Sequence, residues 1–187
     1  GNSAQTSFEI TLIDDIAPTI TTPADQNEST DGGCTFEIPD YTTLVTTSDN
    51  CDTDVEVTQN PVQGDIVSGE NSTHTITLTA EDDAGNTTST SFEITLIDDI
   101  DPVISENPLD RNESLDTNCD FVIPDYTAEI SPTDNCDSSV EVTQTPAVGA
   151  VFSGHGTTQT ITLTAEDNAG NTASVDFEIT LVDETDP

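Results

Sequence analysis

The sequence predicts an all-β protein made of tandem β-sandwiches, and three observations support this fold class. The chain repeats with a spacing of 85 residues, since Cys34 and Cys119 are that far apart, as are Cys51 and Cys136. Apolar and polar residues alternate within each repeat, which is the period of a half-buried strand. Glycine and proline separate the alternating segments at the short intervals that are typical of a sandwich.

Longer motifs recur with the same spacing. T-A-E-D-D-A-G-N-T at 79–87 returns as T-A-E-D-N-A-G-N-T at 164–172, and F-E-I-P-D-Y-T at 36–42 returns as F-V-I-P-D-Y-T at 121–127. A unit of this length has the size of a small domain with its own core, and it is too long for a solenoid repeat.

The repeat sets the expected domain boundaries. We predict the final strand of a preceding repeat at residues 1–15, a first repeat at 16–100 and a second repeat at 101–187. The opening dipeptide Gly-Asn matches a position inside the repeat, so we expect this chain to be a segment of a longer array whose targeting signal lies elsewhere.

Alternation identifies the strands of each repeat. In the first repeat, Ile76, Leu78 and Ala80 alternate with threonines, which half-exposed strands favour. No segment has a helical stripe, so we expect about six or seven short strands in two sheets, as in an immunoglobulin-like sandwich. The residues expected to face the first core are Phe36, Ile38, Val55, Val57, Ile76, Leu78, Ala80, Phe92, Ile94 and Leu96.

Two cysteines occur at the same two positions of each repeat, which suggests one bridge inside each repeat. The predicted disulfides are Cys34–Cys51 and Cys119–Cys136. Each would close a loop of about 18 residues, worth roughly 3 kcal/mol in the chain-entropy model. Such bonds imply an oxidising, extracellular compartment. The alternative is a pair of buried free thiols.

The charge balance excludes several classes of function. The chain has 38 acidic residues and one basic residue, Arg111, which gives a formal charge of −37. A polyanion would be repelled, so the chain is not a nucleic-acid binder, and anionic membranes are disfavoured for the same reason. No apolar segment is long enough to span a membrane. The abundant β-branched residues indicate a folded protein rather than an acidic tail, and such a protein would recruit cations.

Three acidic segments are predicted to meet at one end of each sandwich. Alternating strand directions bring together the linker that enters a repeat, the loop around its second cysteine and the turn of its last hairpin. Carboxylates this close repel one another, and Ca²⁺ removes the conflict because it binds six to eight oxygens. Mg²⁺ demands a stricter octahedron and is the weaker candidate. The alternative is an acidic surface that is only solvated.

The candidate calcium ligands are the acids of these segments, with asparagine amides as further oxygen donors. At the first junction the acids are Asp14, Asp15, Asp49, Asp52, Glu81 and Asp82, and at the second they are Asp98, Asp99, Asp101, Asp134, Asp137, Glu166 and Asp167. The candidate amides are those of Asn50, Asn86, Asn135 and Asn171.

The order of motifs resembles that of the hyalin repeat (HYR) domain, over nearly the whole chain and twice. The motifs are a cysteine, F-x-I-P-D-Y-T, T-D-N-C-D, V-T-Q-x-P, T-I-T-L-T-A-x-D-x-A-G-N-T and F-x-I-T-L-x-D. The resemblance is to tandem copies in large secreted proteins of Flavobacteria and related bacteria. It implies an immunoglobulin-like, extracellular module that is associated with adhesion, and it names no ligand.

Catalysis is not expected. His74 and His155 are not repeated between the two copies, and no motif of a nucleophile, a metalloprotease or a phosphate loop occurs. Tyr41 and Tyr126 are expected to pack over the sandwich edge with their hydroxyls bonded to a turn.

We expect a structural spacer of an extracellular adhesin stalk or surface filament, stiffened by Ca²⁺ at the junctions between repeats. Its partners would be the neighbouring repeats of the same chain, with other copies in a fibre, a surface glycan or a protein ligand as further candidates. The alternative is a repeated module that binds a glycan or a protein. Residues 24–33 differ from 109–118 while the junction acids persist, and this favours the spacer.

Overall fold

The computed structural model describes residues 1–184, and its regular structure is almost entirely β. Two single 3-10 turns, Thr42–Leu44 and Thr127–Glu129, lie at the same position of each repeat. This confirms the predicted class of tandem immunoglobulin-like sandwiches. Within residues 1–184, no helix has the length and apolar character that crossing a membrane requires.

The first repeat forms one four-stranded sheet, in the order β2-β8-β7-β5, and two short strand pairs, β1-β4 and β3-β6. Strands β5, β7 and β8 are antiparallel neighbours. The strands are β1 (Thr19–Ile20), β2 (Gln26–Ser29), β3 (Thr35–Glu37), β4 (Thr47–Ser48), β5 (Glu56–Asn60), β6 (Ile66–Ser68), β7 (Thr73–Glu81) and β8 (Thr87–Ile97).

The second repeat has the same arrangement, with the sheet β11-β13-β14-β9 and the pair β10-β12. A single bridge between Val103 and Thr133 stands where the first repeat has β1-β4. The edge strand β9 runs parallel to β14. The strands are β9 (Arg111–Ser114), β10 (Asp120–Val122), β11 (Glu141–Thr145), β12 (Val151–Ser153), β13 (Thr158–Glu166) and β14 (Thr172–Val182).

Each repeat has a core between its four-stranded sheet and its short strands. Alternate residues of the two long central strands face inward, so that Ile76, Leu78, Ile94 and Leu96 are fully buried in the first repeat. Val55 and Val57, also predicted to face the core, are half-buried. The core of the second repeat is formed by Leu115, Ile123, Tyr126, Ile130, Ile161, Leu163, Phe177, Ile179 and Leu181.

A glutamine explains why V-T-Q-x-P and P-D-Y-T occur together. The side-chain oxygen of Gln59 accepts a hydrogen bond from the main-chain N–H of Tyr41 at 2.7 Å. Its amide nitrogen donates to the carbonyls of Pro39 and Pro61. Gln144 makes the same three bonds in the second repeat. One glutamine side chain in each repeat therefore provides hydrogen-bond partners for one main-chain N–H and two main-chain carbonyls, as buried polar groups require.

Tyr41 and Tyr126 pack as predicted. Both are buried and meet a phenylalanine ring edge to face, with centroids 5.2 Å apart. Their hydroxyls donate to Glu28 and Glu113, on strands β2 and β9 rather than in a turn.

The described chain divides into two compact units whose limits differ from those of the repeats. Unit 1 contains residues 1–28, 36–67 and 72–96, and unit 2 contains residues 29–35, 68–71 and the chain from residue 97 on. Two loops of the first repeat therefore belong to the same compact unit as the second repeat.

The domain boundaries predicted from the repeat, at 16–100 and 101–187, stay predictions. Residues 1–18 form no strand. The final strand of a preceding repeat, predicted at residues 1–15, likewise stays a prediction. Residues 185–187 lie outside the described part.

The disulfide pairing differs from the prediction. Cys34 is bonded to Cys136, with their Cα atoms 4.9 Å apart, and both cysteines lie in unit 2. Cys51 and Cys119 are exposed free thiols. The predicted bonds Cys34–Cys51 and Cys119–Cys136 are therefore wrong.

Strand length explains the error. Cys119 lies near the end of β14, since its carbonyl accepts a hydrogen bond from the N–H of Gly154, and the N–H of Gly156 donates to the carbonyl of Leu181. Cys136 lies beside the turn that precedes β14, since the adjacent Asp137 accepts a hydrogen bond from that turn. The 11 residues of β14 span about 35 Å, whereas the Cα atoms of bonded cysteines lie within about 7 Å of each other. The two cysteines of one repeat are thus at opposite ends of its longest strand.

Candidate metal centre

The turn between β13 and β14 fixes the first acidic side chain of the site. Oδ1 of Asp167 accepts hydrogen bonds from the N–H groups of Gly170 at 2.7 Å and Asn171 at 2.8 Å. Its Oδ2 accepts from the side-chain amide of Asn171 at 2.8 Å. Gly170 has a φ of +93°, a conformation that a side chain would strain. The repeated A-G-N therefore folds this turn around the buried carboxylate of Asp167.

The cysteine loop supplies the second carboxylate. Oδ1 of Asp134 accepts from the N–H groups of Cys136 at 2.9 Å and Asp137 at 3.0 Å, which folds the loop around its own side chain. Oδ2 of Asp134 is buried and has no hydrogen-bond partner. One oxygen of Asp134 thus holds the loop and the other is left for a ligand.

The linker supplies the third carboxylate. Asp98 directly follows β8 and is 6% exposed. Its Oδ1 accepts from the N–H of Ile100 and from the amide of Asn135, both at 3.2 Å. Its main-chain carbonyl accepts from the amide of Asn171 at 3.2 Å. Oδ2 of Asp98, like Oδ2 of Asp134, is buried without a partner.

These three side chains form a compact group of oxygens in unit 2. Asp98, Asp134 and Asp167 each offer a carboxylate oxygen, and these oxygens lie within 4.8 Å of one another. Oδ1 of Asn135 is a further buried oxygen without a partner. Burying charged oxygens unpaired is costly, and a cation is the ligand that satisfies them. The donor set fits a hard divalent cation such as Ca²⁺, which takes carboxylate and amide oxygens.

Unit 1 contains the corresponding group, formed by Asp14, Asp49 and Asp82, with oxygens within 4.8 Å of one another. Oδ2 of Asp49 holds its own loop, accepting from the N–H groups of Cys51 and Asp52, while its Oδ1 is buried without a partner. Asp14 is half-buried, whereas its counterpart in the second group is buried. The first group is therefore the more open of the two.

The turn of the first group has an acidic residue that is held in its charged form. Asp82 accepts a hydrogen bond from the side-chain amide of Asn86, which lowers the pKa of the carboxyl below its ordinary value. Main-chain N–H groups of the turn act in the same direction. A negative charge on this side chain thus belongs to the folded turn.

Two loops of the first repeat, residues 29–35 and 68–71, lie beside the second group. In the second of these loops, Glu70 and Asn71 line a depression together with Asp98 and Asn168. The amide of Asn135 donates to the carbonyl of Asp31 at 3.2 Å, and the hydroxyl of Thr30 lies 3.6 Å from the sulfur of Cys136. These contacts lie beside the more buried of the two groups.

Sequence reasoning missed Glu70, which lies in the second of these loops. Burial raises the pKa of Glu70, and the negative charges of Asp137, Asp98 and Asp167 raise it further. Its counterpart in the second repeat is His155, so the repeat gave no signal for this residue.

The structure places the other seven predicted acidic ligands outside the two groups. Asp52 and Asp137 accept hydrogen bonds from the hairpin turns, and Asp99 accepts from the hydroxyl of Ser29 at 2.8 Å. A role for these seven as ligands stays a prediction. The remaining four are exposed, namely Asp15, Glu81, Asp101 and Glu166.

The four asparagines also differ in their contacts. Asn86 and Asn171 donate through their amide nitrogens to the turn aspartates and to the linker carbonyls, so they brace the site. Asn50 is exposed, and its amide donates to the sulfur of Cys51. Asn135 is the one with a buried, unpartnered oxygen among the described residues.

Several solved structures are distantly similar to this chain. The two-domain EC1-2 segment of human mucin-like protocadherin is 14% identical, with 89% of this chain and 98% of that chain covered and a TM-score of 0.38. The protocadherin GammaB4 extracellular domain is 15% identical, with 91% of this chain covered and a TM-score of 0.44, and this chain spans 33% of its length. The fibronectin(III)-like modules of Clostridium thermocellum CbhA are 12% identical, with 89% and 94% covered and a TM-score of 0.33. Similarities this distant say nothing about function.

Sequence comparison gives a closer relation. No curated protein matches the chain. The family model of the HYR domain matches residues 110–181, which is most of the second repeat. The family whose model matches this segment is the one that the motifs of the sequence resemble.

Proposed function

We propose that this chain is a spacer segment of an extracellular adhesin stalk or surface filament, and that bound calcium stiffens the connection that follows β8. The observation that carries the proposal is the pair of buried carboxylate oxygens without partners, on Asp98 and Asp134, within a group of three aspartates. HYR domains occur in extracellular proteins, where free Ca²⁺ is abundant enough to occupy such a group.

The position of the three aspartates gives the cation a mechanical role. Asp98 immediately follows the last residue of β8, whereas Asp134 and Asp167 belong to loops of the second repeat. A cation shared by all three would tie the end of β8 to both loops. Without it, three like charges in a poorly hydrated site repel one another and loosen the linker. A short linker that is not tied leaves domains free to reorient.

The chemistry of the group favours calcium. The donors are carboxylates and one amide oxygen, which are hard ligands, and no cysteine or histidine belongs to either group of the described residues. Several protein oxygens from separate segments suit the flexible six- to eightfold coordination of Ca²⁺, whereas Mg²⁺ keeps several of its waters and usually binds through one or two carboxylates. The group in unit 1 has the same composition and would bind a second ion more weakly, because Asp14 is less buried.

Calorimetric titration of the full chain with Ca²⁺ tests this proposal. We expect Asp98→Asn to weaken the stronger site by about tenfold or more, because it removes one ligand charge. The matched control is Asp176→Asn, which removes the same charge from an exposed position of β14 that is not a candidate ligand and should leave the affinity unchanged.

Two results would contradict the proposal. One is the absence of Ca²⁺ binding by the unaltered chain. The other is an equal loss of affinity in Asp98→Asn and Asp176→Asn, which would indicate diffuse attraction to an acidic surface rather than a site. Mg²⁺ titrated under the same conditions should bind more weakly.

A further inference from the structure

The single disulfide among the described residues is a template for a second one. Cys34 bonds to Cys136, and the repeat places Cys119 at the position of Cys34 and Cys51 at the position of Cys136. Cys119 and Cys51 are free and exposed. The chain thus presents each half of the same pair once more, unbonded.

The loop of Cys119 already has the conformation of the bonded Cys34. Both cysteines have a positive φ, 64° for Cys119 and 56° for Cys34, which is rare for a residue with a side chain. The N–H of Cys34 donates to the carbonyl of Asp31 at 2.9 Å, and the N–H of Cys119 donates to the carbonyl of Asp116 at 3.0 Å. The backbone that presents the sulfur is therefore the same in the bonded and the free cysteine.

The loop of Cys51 likewise matches the loop of the bonded Cys136. The N–H of Cys51 donates to a carboxylate oxygen of Asp49 at 2.8 Å, and the N–H of Cys136 donates to that of Asp134 at 2.9 Å. The preceding asparagine donates to the cysteine sulfur in both loops. Forming a bond at Cys51 would need no rearrangement of its own loop.

A hydrogen bond lies beside the Cys34–Cys136 disulfide, and residues equivalent to its donor and its acceptor occur beside the two free cysteines. The amide of Asn135 donates to the carbonyl of Asp31 next to the Cys34–Cys136 bond. Asn50 and Asp116 are the corresponding residues beside the free cysteines, and both are exposed. The hydrogen bond beside the existing disulfide could therefore form again, from the amide of Asn50 to the carbonyl of Asp116.

We propose that Cys119 of one chain forms a disulfide with Cys51 of a second copy, so that oxidised chains join head to tail. Cys51 is accessible for this, since it lines an open depression with Leu12, Asp14 and Asp52, and residues 1–13 are exposed and form no strand. The new bond would be equivalent to the one between Cys34 and Cys136. In an array of these repeats, the same rule links the first cysteine of each repeat to the second cysteine of the next.

The bond forms by oxidation of two thiols, which together lose two protons and two electrons. A small-molecule disulfide such as oxidised glutathione accepts them. One protein thiolate displaces a glutathione thiolate to give a mixed disulfide, and the second protein thiolate displaces the other glutathione, so that two reduced glutathiones are released. An oxidising extracellular compartment supplies such acceptors.

The experiment uses the full chain and two variants, Cys51→Ser and Cys119→Ser, with oxidised glutathione and a calcium chelator at high ionic strength. The chelator keeps the measurement of disulfide formation independent of calcium binding. Salt screens the repulsion between chains of net charge −37, which would otherwise keep them apart. We expect the unaltered chain to form a ladder of oligomers on a non-reducing gel. A mixture of the two variants should form dimers and no larger species. The rate of dimer formation in the mixture should be at least about tenfold higher than in either variant alone.

Peptide mapping after cleavage at acidic residues identifies the bond and completes the test. The expected crosslink joins Cys119 to Cys51, with Cys34–Cys136 intact. The proposal is overturned if either variant alone dimerises as fast as the mixture, because exposed thiols would then couple without recognition. It is also overturned if Cys51 and Cys119 bond within one chain, if Cys34 maps to Cys51, or if no dimer forms. Both replaced residues are exposed, so equal melting temperatures of the variants serve as the folding control.

Discussion

At the scale of single residues, Arg111 distinguishes the second repeat from the first. Its guanidinium donates to both carboxylate oxygens of Glu129, at 2.7 and 2.9 Å, and lies over the rings of Tyr126 and Phe177, at 4.9 and 4.5 Å from their centroids. The first repeat has Gln26 at this position and a leucine in place of Glu129. The Nε of Arg111 also lies 3.5 Å from a carboxylate oxygen of Glu113. Arg111 therefore gives the second repeat two ion pairs and two cation–π contacts that the first lacks.

We expect Arg111→Gln to lower the free energy of unfolding by about 1–2 kcal/mol, as the sum of half-exposed ion pairs and cation–π contacts. Urea denaturation measures the change. The double variant Arg111→Gln/Glu129→Leu recreates the pair found in the first repeat and should recover part of the loss, because it removes the unpaired carboxylate. A double variant less stable than the single one would contradict this account.

Tyr126 makes the stability of the second repeat sensitive to high pH. Burial, followed by the charge of Glu113, raises the pKa of Tyr126 to about 12, from an ordinary value of about 10. The folded state therefore holds the phenolic proton more tightly than the unfolded state does. The resulting stabilisation is complete below pH about 10 and is lost as the pH rises through about 12.

We expect the urea midpoint of the unaltered chain to fall over this pH range and the fall to be smaller in Tyr126→Phe. Tyr41, whose pKa burial also raises, accounts for the part that remains. At neutral pH the variant should lose less than about 1 kcal/mol, because the hydroxyl makes one long hydrogen bond, of 3.4 Å, to Glu113. Identical pH profiles for the two proteins would refute the assignment.

At the scale of elements, the long strands were predictable and the edge strands were not. The alternation along β7, β8, β13 and β14 predicted which side chains are buried, because one face of each strand meets the core. Strands β2 and β9 read Q-N-E-S and R-N-E-S. They contain no apolar residue, so no hydrophobic period marks them. Strand β9 is held by main-chain pairing with β14, such as Arg111 opposite Ile179.

The disulfide was the element-scale error. Alternating strand directions place the acidic loop around Cys136 at the start of β14, and the same reasoning places Cys119 at the end of that strand. Applied to the cysteines, it would have excluded a bond within the repeat. The equal spacing of the cysteines was consistent with a bond inside each repeat and with a bond between consecutive repeats, because both patterns recur once in every repeat.

Burial along the central strands predicts a large contrast between two single changes in unit 2. Leu163 on β13 is fully buried, whereas Val148 in the turn before β12 is 58% exposed. We expect Leu163→Ala to cost about 3 kcal/mol, from the lost contacts and the cavity left behind. Val148→Ala should cost less than about 0.5 kcal/mol. Urea denaturation at neutral pH measures both, and similar losses would mean that the assigned core is wrong.

At the scale of the whole molecule, strand direction predicted which segments meet, and local geometry decided which side chains enter the site. The linker, the cysteine loop and the hairpin turn do converge, at Asp14, Asp49 and Asp82 and again at the corresponding residues of the second repeat. Asp52 and Asp99 belong to the same segments but are used for hydrogen bonds instead. The sequence pattern thus predicts which segments meet at the site, whereas the conformation of each turn decides which of its side chains faces the site.

Small-angle X-ray scattering of the full chain should detect calcium-dependent stiffening, if the proposed function is right. We expect added Ca²⁺ to narrow the distribution of interatomic distances and excess chelator to broaden it, because three unneutralised aspartates repel one another. Asp98→Asn should weaken this response, whereas the control Asp176→Asn should retain it. Equal profiles with and without Ca²⁺ would exclude a mechanical role even if calorimetry detects binding.

The ion pair of Arg111 with Glu129 also affects the resistance of the chain to proteolysis. Arg111 is the only lysine or arginine in the sequence, so the peptide bond that follows it is the only one that a trypsin-like protease can cut. Its backbone is paired with β14 and its side chain is held by Glu129. A protease needs this segment detached and extended, so cleavage there requires local unfolding. The composition that makes the chain acidic therefore also leaves trypsin-like enzymes a single, protected site.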